Sequence, residues 1–227
     1  MSSPAENLNA VLARIQEAER RFQRQPGSVT LLAVSKTQPA ELIAAVVAAG
    51  QHHFGESYLQ EALAKMVALP ALDLDWHFIG PVQANKTRGI AEHFSWVHSV
   101  DRLKIAQRLN DQRPGQLPPL NICLQVNLSE EPSKHGLSIA ELWPVARAVV
   151  RLPRLCLRGL MTIPAPVTSF AAQRRPFARL RELQEELIAG GMVLDTLSMG
   201  MSADLEAAIA EGATLVRVGT AIFGTRR

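Results

Sequence analysis

Cysteine, tyrosine and aromatic side chains in general are scarce: two Cys and one Tyr in 227 residues, with aromatics at 5%. Cys123 and Cys156 stand far apart, have no C-x-x-C or metal-ligand spacing, and each lies in an apolar run. They are expected to be buried free thiols in a reducing compartment, not a disulfide framework. A nucleic-acid surface needs a clustered basic stripe with stacking partners. The net charge is only +3, and no Lys/Arg block exceeds the pairs at 20–21, 174–175 and 226–227, so a nucleic-acid partner is not expected. No apolar run approaches the roughly 20 residues that span a membrane. Residues 1–6 lack the basic-then-apolar signature of a signal peptide, which predicts a cytoplasmic chain. No G-x-G-x-x-G follows the first strand, no H-E-x-x-H occurs among the six histidines, and no G-x-S-x-G elbow is present. Dinucleotide binding, a resident metal and serine hydrolysis therefore have little behind them.

What is present is an alternation of two periodicities. Residues 5–24 carry Leu8, Leu12, Ile15, Ala18 and Phe22 at helical spacing, and Pro26-Gly27 ends the helix. Short apolar strands are then predicted at 30–35, 52–55, 74–79, 96–99, 120–127, 155–162, 194–198 and 214–218. Helices are predicted at 40–49, 58–67, 85–93, 102–110 (capped by Asp101), 138–150, 170–189 and 203–210. Strands hydrophobic on both faces belong to a parallel sheet covered by helices. Eight such units predict a single TIM (β/α)8 barrel domain over 1–227 with an extra N-terminal helix. The acidic face Glu182, Glu185, Glu186 reads as solvated surface.

A barrel binds ligands at the C-terminal ends of its strands. Lys36 ends the first strand, where it either points to solvent or presents an amine to the mouth. A partly desolvated amine there can form a Schiff base with a carbonyl. The loops after strands seven and eight, 198–204 and 219–224, are where barrels commonly hold phosphate. Ser202 and Thr220 offer hydroxyls, and Gly219 close backbone approach; each is equally readable as an N-cap or turn residue. Arg217 puts a guanidinium between apolar neighbours, which demands either a carboxylate such as Glu211 or Asp204 or a ligand atom in the mouth. Glu56, Asp101, Asn127 and Lys134 lie at or beyond strand ends and are further mouth candidates or plain loop residues.

Residues 33–37 (AVSKT), 54–56 (FGE), 77–80 (HFIG) with Gln83 and Asn85-Lys86, 159–161 (GLM), 197–202 (LSMGMS) and 216–224 (VRVGTAIFG) resemble, in order, the blocks of the pyridoxal phosphate homeostasis (YggS/PROSC) family. That family is similar in fold to the N-terminal barrel domain of alanine racemase. The resemblance implies pyridoxal 5'-phosphate as cofactor, held by Lys36 as a Schiff base. Ser202, Gly219 and Thr220 would take the phosphate, Ser198 and Met201 would lie nearby, and Arg217 would face the pyridine nitrogen. Two departures stand out: Ser57 replaces an expected asparagine, and Gln38 occupies a position that carries lysine in a bacterial relative. Lys134 remains a candidate for a secondary exchange amine.

The resemblance also frames the choice between carrier and enzyme. Racemisation needs an acid/base group on each face of a planar carbanion. The racemase supplies the second one as a tyrosine through its second-domain architecture, whereas this chain has one tyrosine, Tyr58, just after strand two. An arginine at the ring nitrogen also weakens the ring as an electron sink. The expected function is a non-catalytic, monomeric carrier of pyridoxal phosphate in vitamin B6 and amino-acid homeostasis, with apo-enzymes as partners. The alternative is a pyridoxal phosphate-dependent racemase or other enzyme; a third is a module for another phosphate ligand.

Overall fold

The computed structural model describes residues 3–128 and 135–224. Ser3 starts the first helix, α1 (Pro4–Arg21), with a reciprocal capping box: its side chain accepts from the Glu6 amide and Glu6 reaches back to the Ser3 amide. Eight parallel strands follow, β1 (Thr30–Val34), β2 (His53–Glu56), β3 (Asp75–Phe78), β4 (Trp96–Val100), β5 (Leu120–Gln125), β6 (Leu155–Met161), β7 (Thr196–Ser198) and β8 (Leu215–Val218). Each pairs with the next, and β8 pairs back onto β1 with Leu32 opposite Arg217, so the barrel is closed. Outside it lie α2 (Ala40–Val47), α3 (Leu59–Ala68), α4 (Thr87–His93), α5 (Leu103–Gln112), α6 (Ile139–Val149), α7 (Phe170–Ala189), α8 (Leu205–Ala210) and α9 (Thr220–Phe223). This is the TIM barrel expected, with α1 as the added helix.

The apolar core lies between strands and helices, where Phe54, Phe94, Phe177, Ile43, Ile90, Ile105 and Leu109 are fully buried. Helix α1 packs against α2, α8 and α9. Asn7 Nδ2 donates to Ile222 O at 2.9 Å, and Arg14 pairs with Glu206 at 2.9 Å while donating to Ser202 O at 3.2 Å. The added helix thus braces the loops after β7 and β8 from outside.

Several boundaries differ from the sequence expectation for local reasons. Helix α1 stops at Arg21, where the Phe22 ring stacks on Phe170 at 5.9 Å and Gln23 takes a positive φ of 54°. Helix α8 starts at Leu205, because Met201–Asp204 form a turn in which the Asp204 carboxylate accepts from Met201 N at 2.6 Å. Asp101 does not cap α5: its carboxylate is taken by Arg102 at 2.8 Å, and Arg102 holds the N-cap position without a side-chain cap. The thiols divide: Cys123 is buried, but Cys156 is exposed. Its strand face turns inward where the barrel's N-terminal end opens, so an apolar run did not guarantee burial.

Candidate functional site

The barrel interior departs from the usual filling of bulky branched residues. His53, His77, Trp96 and His98 turn inward, with His77 stacked on Trp96 at 5.4 Å. His98 on β4 reaches Ser198 on β7 at 2.7 Å, a contact that only the interior allows. Above this polar layer, at the C-terminal ends of the strands, a cavity of about 300 Å³ opens. Its lining includes Lys36, Met201, Ser202, Arg217, Gly219 and Thr220, so six of the seven residues expected at a cofactor site share one cavity. The seventh, Ser198, is fully buried one layer below, where it touches Arg217. Val34, Ile79 and Ile163 supply apolar walls, and Gln38, noted in the sequence as a departure, also faces the cavity.

Lys36 continues the inward-facing series Leu32, Val34, and is only half-buried. The turn that aims it is clamped from behind. Ser35 Oγ donates to Glu56 Oε1 at 2.7 Å, and Lys65 Nζ of α3 donates to Ser35 O at 2.8 Å and to Glu56 Oε1 at 2.7 Å. Lys65 also pairs with Glu61 at 2.5 Å, and Glu61 accepts from the amide of Thr37, a residue at φ 65°. Glu56 is completely buried, and its second oxygen, Oε2, has no hydrogen-bond partner among the described residues. Burial pushes its carboxyl upward, and the Lys65 and Ser35 bonds oppose that rise. Glu56 therefore faces α3 and the lysine turn, and is neither part of the mouth lining nor a solvated loop residue, the two readings its position had offered.

Arg217 is buried and held by neutral oxygens. Nη1 donates to Ser198 O at 2.6 Å and Ser198 Oγ at 2.8 Å, and Nη2 to Thr162 O at 2.9 Å. Of the two readings of this arginine, the carboxylate pairing is not found among the described residues. Glu211 is taken by Arg174 at 2.5 Å, and Asp204 acts on Arg217 only through its field. Burial draws Arg217 down to about 10, so it remains cationic at neutral pH. Desolvation also pulls His98 down to about 3 and His77 well below the ordinary histidine range, so both rings are neutral.

Glycine lets each loop pack closely on its neighbouring element. Gly200 has φ 93°, and a Cβ there would lie 2.5 Å from Ala208 Cβ; a Cβ on Gly219 would meet Val34 O at 3.1 Å. Asp101 lies outside the cavity lining, paired with Arg102 and 3.7 Å from His135. Asn127 is not in that lining either, its amide donating to Leu137 O at 2.9 Å. Lys134 falls outside the described residues. Sequence reasoning missed Lys65, His77 and His98. The in-step parity of His77 and His98 on successive strands was the available signal for the latter two.

A closed (β/α)8 barrel whose mouth cavity is lined by a lysine just beyond its first strand and an arginine from its last, with small-residue loops, defines a lysine-bearing barrel of the alanine-racemase type. Residues 7–227 match the family described as alanine racemase, N-terminal domain. The chain is 62% identical to the pyridoxal phosphate homeostasis protein of Pseudomonas aeruginosa, over 100% of this chain and 97% of that one. It is 52% identical to the protein of that name from Escherichia coli K12, over 100% and 98%. The chain belongs to the pyridoxal phosphate homeostasis protein family. Among solved structures, PipY of Synechococcus elongatus with PLP bound superposes with a TM-score of 0.83 at 41% identity, covering 92% of this chain and 100% of that one. Alanine racemase of Corynebacterium glutamicum shares the fold at 15% identity and a TM-score of 0.69, over 96% and 61%.

Proposed function

We propose that this chain binds pyridoxal 5'-phosphate in the mouth cavity and serves its homeostasis as a carrier, without turnover. The observation that carries the reading is the convergence of an amine, a buried guanidinium, two hydroxyl-bearing small-residue loops and apolar walls on one cavity. These donors fit the group: Lys36 for the aldehyde carbon, Ser202, Thr220 and the Gly219 backbone for the phosphate, and Arg217 for the ring nitrogen. Met201 closes one side and Ser198 fixes the arginine from beneath. When bound, the cofactor supplies an electrophilic carbon that condenses with an amine and releases water. The naming of the relatives and PLP in the PipY structure support the same assignment.

The carrier reading rests on the missing second base. Tyr58 is 57% exposed and lines a separate groove with Gln60, Pro81 and Lys86, outside the cavity that holds Lys36. The protein acts as a single barrel domain and a monomer in the cytoplasm, with apo-enzymes as recipients. No helix among the described residues is long and apolar enough to cross a membrane.

Borohydride treatment of cofactor-loaded protein followed by peptide mass spectrometry tests the site, with the reduced cofactor expected on Lys36. Equal covalent capture by Lys36→Ala would overturn it. Incubation with alanine in deuterated water tests the carrier reading: rapid Cα exchange that vanishes in Lys36→Ala would make the protein an enzyme.

A further inference from the structure

Beneath the mouth, hydrogen bonds run without a gap through the barrel. Arg217 Nη1 donates to Ser198 Oγ at 2.8 Å, and Ser198 Oγ lies 2.7 Å from His98 Nδ1. His98 Nε2 lies 2.9 Å from His77 Nδ1, and His77 Nε2 lies 3.3 Å from His53 Nδ1. His53 reaches the barrel's N-terminal end, where Asp75 Oδ2 stands 3.4 Å from its Nδ1. The Trp96 ring packs parallel to His77, with an interplanar angle of 8°, and Arg158 covers Trp96 at 4.9 Å, which leaves the imidazole little freedom to turn.

The direction of this chain follows from donor inventory. A guanidinium can only donate. Ser198 Oγ accepts from it, and among the described residues His98 Nδ1 is the other hydrogen-bond partner of that hydroxyl. A Ser198 hydroxyl that accepted from both sides would leave its own hydrogen unpaired in a buried site, so the direction that satisfies every group sends that hydrogen to His98 Nδ1 and leaves His98 with its hydrogen on Nε2. That hydrogen points at His77 Nδ1, so His77 also carries its hydrogen on Nε2 and donates to His53 Nδ1. Two buried rings that would otherwise be free to exchange tautomers are set, one through the other, by the cation at the mouth.

We propose that Ser198, His98, His77 and His53 form a directional hydrogen-bond relay that fixes the position of Arg217 from below, with His98 as the positioning residue for the cofactor cavity. The coupling is mutual. The cation polarises the relay, and the relay pins the Ser198 hydroxyl as an acceptor, so that the guanidinium stays fixed in the cavity lining. The inference about the cavity rests on the cofactor reading above; the tautomer assignment does not.

Long-range 1H–15N spectra of cofactor-free protein labelled at histidine nitrogen test the relay at neutral pH. Both His77 and His98 should show the Nε2–H pattern, and Ser198→Ala should shift His98 toward Nδ1–H. An Nδ1–H tautomer at either ring in the wild type, or an unchanged pattern in Ser198→Ala, overturns the assignment. Titration with pyridoxal 5'-phosphate then separates positioning from packing. His98→Asn keeps an acceptor for Ser198 but loses volume, whereas His98→Leu keeps volume and loses the acceptor. His98→Leu should bind roughly fivefold more weakly while His98→Asn stays within about twofold of wild type, the scale of one net hydrogen bond. Asn binding more weakly than Leu, or Leu binding like wild type, overturns the positioning role. Failure of wild type to capture the cofactor on Lys36 would instead sink the cofactor reading and leave the tautomer result standing.

Discussion

Replacing Lys65 by methionine separates the clamp behind Lys36 from ordinary packing. The substitution keeps an unbranched side chain and removes the bonds to Ser35 O, Glu56 Oε1 and Glu61 Oε1. Glu61 is partly exposed and can be hydrated; Glu56 is fully buried and cannot. Breaking a buried pair from one side costs about 3–5 kcal/mol, because the remaining charge is stranded. For a domain of this size that is a fall of roughly 10 °C in melting temperature. The loss must depend on pH. Burial already raises the Glu56 carboxyl above its ordinary range, and removing the Lys65 cation, which opposes that rise, lifts it further. A carboxyl raised in the folded state binds a proton that the unfolded chain releases, so stability falls as pH climbs from the unfolded value toward the folded one. Thermal melts of Lys65→Met against wild type should therefore show the full deficit near pH 8 and a much smaller one near pH 5. Adding Glu56→Gln should recover most of it. A deficit unchanged by pH and by Glu56→Gln would show that the clamp acts by packing and would refute the reasoning. The same variant should weaken capture of the cofactor, since the turn at Ser35–Thr37 loses its anchor.

Gly200→Ala meets both a positive φ and a 2.5 Å approach to Ala208 Cβ, and should lose about 2–4 kcal/mol in denaturant melts. Burial pushes the Cys123 thiol up to about 12 while Cys156 is exposed, so iodoacetamide at pH 8 should label Cys156 in the folded protein and both thiols only in denaturant. His98, held near 3, contributes stability that is present above the unfolded histidine value and is lost as pH falls from there toward 3. Its removal in His98→Leu should flatten the acid limb of a stability–pH curve by up to about 1.4 kcal/mol per pH unit between pH 6 and 4.

The strand–helix alternation and the barrel it builds were legible, because each element had to bury an apolar face with its own period. Lys36 was legible as an amine at a strand's C-terminal end, and Arg217 as a charge among apolar neighbours. The partners were not. Arg217 suggested a carboxylate, yet carbonyl and hydroxyl oxygens from β7 and the end of β6 hold it, and those distances depend on how the barrel closes. His98 and Ser198 are a hundred residues apart, and strand parity alone does not say which inward residues meet across an interior. Lys65 falls on the inward face of its helix with Leu59 and Ala62, but nothing in the sequence names the buried Glu56 as its partner. Asp101 shows the converse, a plausible cap diverted by its own neighbour, Arg102.

Leu32 lies opposite Arg217 in the seam between the first and last strands. The amine and the guanidinium are 217 − 36 = 181 residues apart in sequence, and only that seam makes them neighbours. Contacts of such separation carry the greatest loop-closure cost and form late in folding. During synthesis Lys36 emerges long before β8 exists, and until then it is an ordinary surface amine with no cation beside it. On the proposed cofactor reading, capture would be a property of the finished chain: a polypeptide that holds the lysine but not the last strand lacks Arg217, Gly219 and Thr220 of the cavity lining.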